Sequence, residues 1–147
     1  MLPVVEVSLE VIDLDSRHAK ELEQLFQTEW RSFRLADAYG ENTSLPLPIV
    51  AVVDGEVAGG LAYSKFLEPN GKEEVVWVNA LFVQERYRGH DIATKLLEFA
   101  PTHVPQGAQS LLYAYTHIPR LYENLSWKRV ETECEPDHYV LSISLKS

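Results

Sequence analysis

A short turn that contains basic residues and one glycine is the part of this sequence best suited to bind a ligand. The turn runs from Arg86 to Ala93 with the sequence RYRGHDIA. At the start of a helix, such a turn presents unpaired backbone N–H groups, which suit phosphate oxygens. Gly89 allows a close approach or a positive φ angle, and Arg86 and Arg88 can add charge-assisted contacts to a diphosphate. The pattern therefore predicts a site for a phosphorylated ligand.

The turn differs from the common phosphate-binding motifs. No Gly-Lys-Ser/Thr sequence follows it, as a P-loop requires, and it lacks the spaced glycines of a dinucleotide-binding fingerprint. An Arg-Gly pair that opens a helix is also compatible with an ordinary surface turn. A second residue with useful chemistry, Tyr122, lies further along the chain, but aromatic residues at helical spacing usually fill the core. Neither feature identifies a function alone.

The neighbouring segments place the turn between a buried strand and a helix. Residues 75–83 are too continuously apolar for a strand with one solvent-exposed face, so we expect a central strand covered on both faces. Residues 90–100 have their apolar side chains on one stripe of a helix, and Pro101 ends that pattern. The geometry thus favours an anion site at the start of this helix.

The remaining segments complete a mixed order of strands and helices. Asp54 and Gly55 supply the positive φ angles of a two-residue hairpin turn. Gly59 and Gly60 lie inside a strand pattern, which suggests a bulge or a close backbone approach. Residues 34–48 are expected to form a loop with at most a short helix. The predicted strands are 4–11, 49–53, 57–63, 75–83, 110–115, 127–130 and 139–145. The predicted helices are a first one capped by Asp15 or Ser16, with its apolar face from Leu22 to Trp30, one over residues 90–100, and a short one that begins at Pro119.

Three segments resemble the GNAT acetyltransferases. Residues 83–97, VQERYRGHDIATKLL, are similar to the acetyl-CoA motif of that family. Residues 121–127, LYENLSW, resemble its second landmark, a Tyr in a helix shortly before a Gly-aromatic step into the next strand. Residues 45–52, LPLPIVAV, are similar to the run that opens the second strand in small-molecule and amino-terminal acetyltransferases. The resemblance implies an α/β (α+β) fold with a mixed, mostly antiparallel sheet of about six to seven strands and about four helices, in one domain over residues 1–147.

The resemblance also assigns roles to individual positions. It implies that backbone groups of Leu81, Phe82 and Val83 pair with the pantetheine arm of acetyl-CoA. A substrate amine attacks the thioester directly, and Tyr122 is the general acid that protonates the departing thiolate. A Tyr suits this role because its reference pKa, near 10, lies above that of a thiol, near 8.5. The pyrophosphate would be held by backbone N–H groups of Arg88, Gly89, His90, Asp91, Ile92 and Ala93.

The sequence departs from the family pattern at two positions. Asp91 stands where a second Gly or Ala is usual, and its carboxylate repels a diphosphate unless it turns away or caps the helix. Ser126 replaces the Gly before the aromatic residue, which changes the bend into the next strand. These departures motivate an alternative function, a CoA-binding or regulatory module whose active site has decayed. A further alternative is a generic α/β domain that binds another phosphorylated ligand.

The general base is not identified by the sequence. Glu74, Asn79 and His117 lie near predicted strand ends where the amine should approach, and a water relay is equally compatible. Trp30 and Trp77 are expected in the core rather than at the substrate. The scattered histidines, His138 among them, lack partners at metal-ligand spacing, so no metal site is predicted.

The composition of the chain limits the classes of partner that it is expected to bind. The chain of 147 residues has 13 basic and 22 acidic side chains and a net charge of −9, which argues against non-specific binding to nucleic acid or to an anionic membrane. The charge favours a cationic substrate or serves solubility alone. No segment is long and apolar enough to cross a bilayer, no secretory signal is visible, and Cys134 is the only cysteine. We therefore expect a cytoplasmic protein.

Together these observations predict an acetyl-CoA-dependent N-acetyltransferase. Its expected acceptor is a primary amine of a small cationic molecule or of a peptide N-terminus. The expected partners are thus a small-molecule or peptide amine, with neither nucleic acid nor a membrane, and the expected state is a monomer or a homodimer. We expect the variable residues 31–48 and 67–72 to determine which amine is accepted.

Overall fold

The computed structural model describes residues 5–40, 44–105 and 107–145. Within these residues there is one seven-stranded sheet, in the order β1-β2-β3-β4-β5-β7-β6. Its strands are β1 (Ser8–Val11), β2 (Ile49–Val53), β3 (Glu56–Leu67), β4 (Glu74–Val83), β5 (Leu111–Thr116), β6 (Lys128–Val130) and β7 (Tyr139–Ser144). The α-helices are α1 (Arg17–Glu29), α2 (Leu35–Tyr39), α3 (Ile92–Phe99) and α4 (Pro119–Glu123), and two 3₁₀ turns span Glu85–Tyr87 and Ala100–His103.

The predicted fold class is confirmed. All neighbouring strands are antiparallel except β4 and β5, and the order of elements along the chain is the expected one. The first strand is shorter than expected, since it begins at Ser8, and residue 4 lies outside the described residues. The predicted loop 34–48 contains the short helix α2, although residues 41–43 are not described. None of the described helices is long and apolar enough to span a membrane.

Helices cover both faces of the sheet. Successive residues of β3 point to opposite faces of the sheet, so Gly60 and Tyr63 lie on different faces. Gly60 lies beneath Leu22 of α1, whereas Tyr63 donates a hydrogen bond of 2.8 Å from its hydroxyl to Ala100 O, just after α3. The hydroxyl of Tyr39 in turn receives the backbone N–H of Tyr63 at 3.0 Å. The central strand β4 is therefore covered on both faces, as predicted.

The pair Gly59-Gly60 is closely packed on both sides: Gly60 faces α1, and a Cβ at Gly59 would lie 2.4 Å from Phe82 O of β4. A Cβ at Gly60 would lie 2.4 Å from Leu22 Cδ1 and 2.7 Å from Ile49 O, so no side chain fits there. The register between β2 and β3 shifts between Ala51 and Val52, next to this pair. Both predicted features, the close approach and the bulge, are thus present.

The strands β4 and β5 diverge after a short contact. They run parallel and pair only at Trp77–Tyr113 and Val78–Ala114. On its other side β4 has an extra residue, because Ala62 pairs with Ala80 and Tyr63 with Val78, which leaves Asn79 unpaired. Such a bulge bends the strand and raises its local twist. The sheet therefore opens between the carboxyl ends of these two strands.

The contact of α1 with β3 is testable through Gly60→Ala. We expect this change to lower the free energy of unfolding by about 1–3 kcal/mol, because the added methyl group overpacks Leu22 and the backbone of β2. Urea denaturation of Gly60→Ala, Leu22→Ala and the double variant measures the coupling. The double variant should lose less stability than the sum of the two single changes. Strict additivity would contradict a steric conflict with Leu22.

Candidate active site

A cleft occupies the place where β4 and β5 separate. It has a volume of about 530 Å³ and is lined by residues 77–81 of β4, residues 115–118 and Tyr122. Its other wall residues are Trp30, Ser64, Phe66 and His138. Among the described residues, this lining contains no Asp, Glu, Lys or Arg side chain. The cleft is therefore an aromatic and apolar site with a few neutral polar groups, which is the usual character of a small-ligand pocket.

Tyr122 is a buried phenol in this cleft. The residue is 5% exposed, and burial raises the pKa of its hydroxyl to about 12. It is consequently protonated at neutral pH. Its hydroxyl has no hydrogen-bond partner within the described part of the chain. A proton donor without an internal acceptor is thus available to whatever enters the cleft.

The bend after α4 fixes the position of Tyr122. The N–H of Trp127 donates to Tyr122 O at 3.2 Å, and that of Ser126 donates to Glu123 O at 3.1 Å. Ser126 has a φ of 73°. This is a Schellman ending, and its usual apolar contact is the edge-to-face packing of Tyr122 on Trp127 at 5.2 Å between ring centroids. Ser126 therefore makes the bend that the family pattern assigns to Gly.

The predicted anion turn forms an uncapped helix start. Gly89 has a φ of 90° and Asp91 a φ of 61°, and the Asp91 side chain makes no capping hydrogen bond to α3. Within the described residues, the backbone N–H groups of residues 89–94 donate to no acceptor. The N–H of Arg88 differs, because it donates to Glu85 O at 3.1 Å. The free donors are therefore those from Gly89 onward, and they suit an anion.

Glu56 at the start of β3 holds this turn in place. Its carboxylate accepts a hydrogen bond of 2.8 Å from the Tyr87 hydroxyl and pairs with the Arg86 guanidinium. The Tyr87 hydrogen bond, followed by that of Arg86, lowers the pKa of Glu56. Arg88 Nε donates to Val83 O at 3.2 Å. Arg86 thus forms an exposed ion pair with Glu56, and its contact with a diphosphate stays a prediction.

The end of β4 offers a free backbone edge to the cleft. Leu81, Phe82 and Val83 pair with β3 on one side. On the other side, pairing with β5 ends at Val78, so no described strand covers this edge. An extended ligand can add to such an edge through main-chain hydrogen bonds. The position is the one that the sequence predicts for a pantetheine arm.

Comparison with known proteins assigns the family. The model of the acetyltransferase (GNAT) family matches residues 13–125. The chain belongs to the GNAT acetyltransferase family. No curated protein sequence matches it significantly. Within the described part of the chain, no group of His, Cys, Asp and Glu side chains is arranged to hold a metal ion.

Solved structures of GNAT proteins share this fold at low identity. The N-acetyltransferase YhbS from Escherichia coli, in complex with CoA, is 22% identical with a TM-score of 0.71, over 99% of this chain and 85% of that chain. Naa50 from Arabidopsis thaliana, in complex with the bisubstrate analogue CoA-Ac-MVNAL, is 20% identical with a TM-score of 0.67, and the match covers 95% of this chain and 99% of that chain. A GNAT acetyltransferase from Brucella melitensis, in complex with acetyl-CoA, is 16% identical with a TM-score of 0.70, and the match covers 97% of this chain and 90% of that chain. The prediction of acetyl-CoA as co-substrate agrees with these complexes.

The structure brings together some of the GNAT site residues proposed from sequence and separates others. Asn79 and His117 line the cleft, whereas Glu74 lies outside it, in an adjoining groove. Trp77 is buried as expected, but Trp30 is 42% exposed at the cleft, so its assignment to the core was wrong. Trp30 is the residue directly after α1, and its ring contacts those of Phe26 and Phe33 at 6.0 and 6.4 Å between centroids.

Sequence reasoning missed Phe66, Tyr115 and His138 as cleft residues. Phe66 is 64% exposed, and Tyr115 and His138 stack at 5.1 Å between ring centroids with an angle of 13°. The alternation of Tyr113 and Tyr115 on one strand was a usable signal, since it puts both rings on the same face of the sheet. His138 gave no such signal, because only the return of the chain from β6 to β7 brings it to β5.

The bend at Ser126 leads to a stability prediction. Replacement by Gly should raise the free energy of unfolding by about 0.5–1 kcal/mol, because Gly adopts a positive φ without the Cβ conflict. Urea denaturation measures the change. Ser126→Ala is the matched control and should leave stability within about 0.5 kcal/mol, since it keeps the Cβ. A Gly variant less stable than the Ala variant would show that this bend is not the strained feature.

Proposed function

We propose that this chain transfers the acetyl group of acetyl-CoA to a primary amine bound in the cleft between β4 and β5. The observation that carries the proposal is Tyr122, a buried and protonated phenol without a hydrogen-bond acceptor among the described residues, in the same cleft as the free edge of β4. The family to which the chain belongs supports this class of reaction. When bound, acetyl-CoA would supply an activated thioester carbonyl.

The residues of the turn fit the diphosphate of that molecule. The free N–H groups of Gly89, His90, Asp91, Ile92 and Ala93 would hold the pyrophosphate, and the positive φ of Gly89 leaves room for a close approach. Because its own N–H is already bonded to Glu85 O, Arg88 would contribute through its side chain. The backbone groups of residues 81–83 would pair with the pantetheine arm.

Tyr122 would act as the general acid. Its Oη would hold a proton at neutral pH and give it to the sulfur as the carbon–sulfur bond breaks. The raised pKa keeps the phenol protonated across the physiological range.

The acceptor that the cleft fits best is an amine on an apolar body. Trp30, Phe66, Tyr115 and Ile118 line the cleft, each with more than two fifths of its surface exposed, and no carboxylate lines it among the described residues. Such walls favour a peptide N-terminus with an apolar side chain or an arylalkylamine over a polycation. The complex of Naa50 with a peptide-derived bisubstrate analogue supports the first of these. Single-domain organisation over residues 1–147, cytoplasmic location and a monomeric or dimeric state stay predictions.

Removal of the Tyr122 hydroxyl tests the proposed reaction. We expect Tyr122→Phe to lower kcat by at least about 100-fold, because the leaving thiolate loses its proton donor, while the Kd for acetyl-CoA changes less than about twofold. Release of free thiol, with 2-phenylethylamine and free-amine peptides as acceptors, measures kcat, and calorimetry measures Kd. Tyr113→Phe, on β5 outside the cleft lining, is the matched control. Equal turnover in the Tyr122 variant and the wild type would contradict the role of Tyr122 as the acid. If the wild type binds acetyl-CoA tightly but acetylates none of these amines, the alternative function, a CoA-binding module with a decayed active site, is favoured.

The unfavourable charge of Asp91 can be measured directly. Asp91→Asn keeps a residue that tolerates a positive φ and removes one negative charge beside the proposed pyrophosphate site. We expect it to lower the Kd for CoA about two- to fivefold at low ionic strength, with a smaller change in high salt. Glu98→Gln removes an equal charge from the exposed side of α3 and should leave the Kd unchanged. Weaker CoA binding to Asp91→Asn would place the pyrophosphate elsewhere.

A further inference from the structure

We propose that His138 is the base that takes a proton from the acceptor amine, and that Tyr115 is its positioning residue. The inference rests on the proposed function, because it concerns the amine in the same cleft. It adds a catalytic residue from the segment between β6 and β7, which the sequence did not associate with the site.

An amine acceptor needs a base before it can react. A peptide α-amino group has a pKa near 8 and an alkylamine one near 10, so at neutral pH most of either is an ammonium without a lone pair. Within the described residues, the cleft lining contains no Asp, Glu or Lys side chain, and its two imidazoles are those of His117 and His138. The choice of base therefore lies between two imidazoles.

The hydrogen bond of His138 leaves one ring nitrogen free to act as a base. Its Nδ1 lies 3.0 Å from Pro136 O. A carbonyl oxygen only accepts hydrogen bonds, so Nδ1 must carry the hydrogen. In the neutral ring Nε2 then has the lone pair, and it makes no hydrogen bond within the described part of the chain. His138 is thus held in the tautomer that a base requires.

Tyr115 fixes the His138 ring through two separate contacts. Its ring stacks on the imidazole, and its hydroxyl accepts the N–H of Glu135 at 3.0 Å. The N–H of His138 donates to Glu135 O at 3.0 Å, within a turn in which Asp137 has a φ of 61°. The turn is therefore tied to β5 at the residue next to the cleft. His117 lacks such support, since it is exposed and contacts His138 only by its ring, at 5.9 Å.

The ionisable groups around His138 are distributed over both of its sides. Those of other elements are Tyr115 and His117 at β5, Tyr122 across the cleft, and Arg129 and Glu131 at β6. Its own turn adds Cys134, Glu135 and Asp137. The groups beside His138 therefore include both carboxylates, such as Glu135, and a cation, Arg129.

The proposed step balances its protons. His138 Nε2 takes one proton from the ammonium, and the freed lone pair forms the nitrogen–carbon bond as the carbon–sulfur bond breaks. Tyr122 Oη gives its proton to the sulfur, and the second proton from nitrogen returns to Tyr122 through water. His138 then releases its proton to solvent. The net change is one ammonium and one thioester to one amide, one thiol and one proton.

Kinetics across pH test the base. With 2-phenylethylamine or the peptide Met-Val-Asn-Ala-Leu as acceptor, His138→Gln should lower kcat/KM about 100-fold at neutral pH, while its Kd for acetyl-CoA stays within about twofold. The defect should shrink as pH rises through the pKa of the amine, because the acceptor then loses its proton unaided. His18→Gln, on α1 and paired with Glu21, is the matched control and should match the wild type.

Two readouts keep the test independent of the proposed reaction. Nitrogen-15 NMR of the protein without ligand should show His138 as the Nδ1–H tautomer, and an Nε2–H tautomer would overturn the inference. Tyr115→Phe should lower kcat with little effect on KM, because the stacking stays but the turn loses its acceptor. If Tyr122→Phe is inactive while His138→Gln is as active as the wild type at every pH, the base assignment fails and the proposed function stands. If His117→Gln alone shows the pH-dependent loss, the base is His117.

Discussion

The separation of β4 from β5 is the constraint on which the site depends. Two strands that pair at only two positions leave the carboxyl end of β4 with unpaired backbone groups, which a buried location would penalise. Asn79, the extra residue of β4, marks the point of divergence and is itself exposed to the cleft. The register of the sheet therefore sets the position of the opening, and it also decides which side chains surround it.

Backbone conformation matters more than side-chain identity at the two borders of this opening. Asp91 and Ser126 both hold a positive φ that costs about 1–2 kcal/mol outside glycine. At Ser126 the Schellman hydrogen bonds and the packing of Tyr122 on Trp127 offset this cost. At Asp91 no side-chain cap does so, and the helix start keeps its free donors. The departures from the family pattern thus keep the geometry and change the charge.

The negative net charge does not extend into the cleft. Its walls include Trp77 and Phe66, whose rings pack edge to face, and Trp77 also packs on Tyr113 of β5. Net charge acts on an approaching cation over a distance of about one Debye length, near 10 Å, whereas affinity is decided by groups in contact. The composition left two interpretations open, a cationic acceptor or solubility alone, and the apolar lining is the basis on which we propose an acceptor with one amine on an apolar body.

The sequence by itself determined what short segments encode: the order of strands and helices, the glycine turn before α3, the hairpin at Asp54-Gly55, and the family resemblance that singled out Tyr122. These features depend on periodicity, turn chemistry and neighbouring residues. Only the tertiary structure decided which side chains share the cleft. In that structure Trp30 is exposed, Arg86 forms an ion pair with Glu56, and His138 stacks on Tyr115. Such contacts join segments far apart in the chain, and strand register and the return from β6 to β7 set them, which no local pattern records.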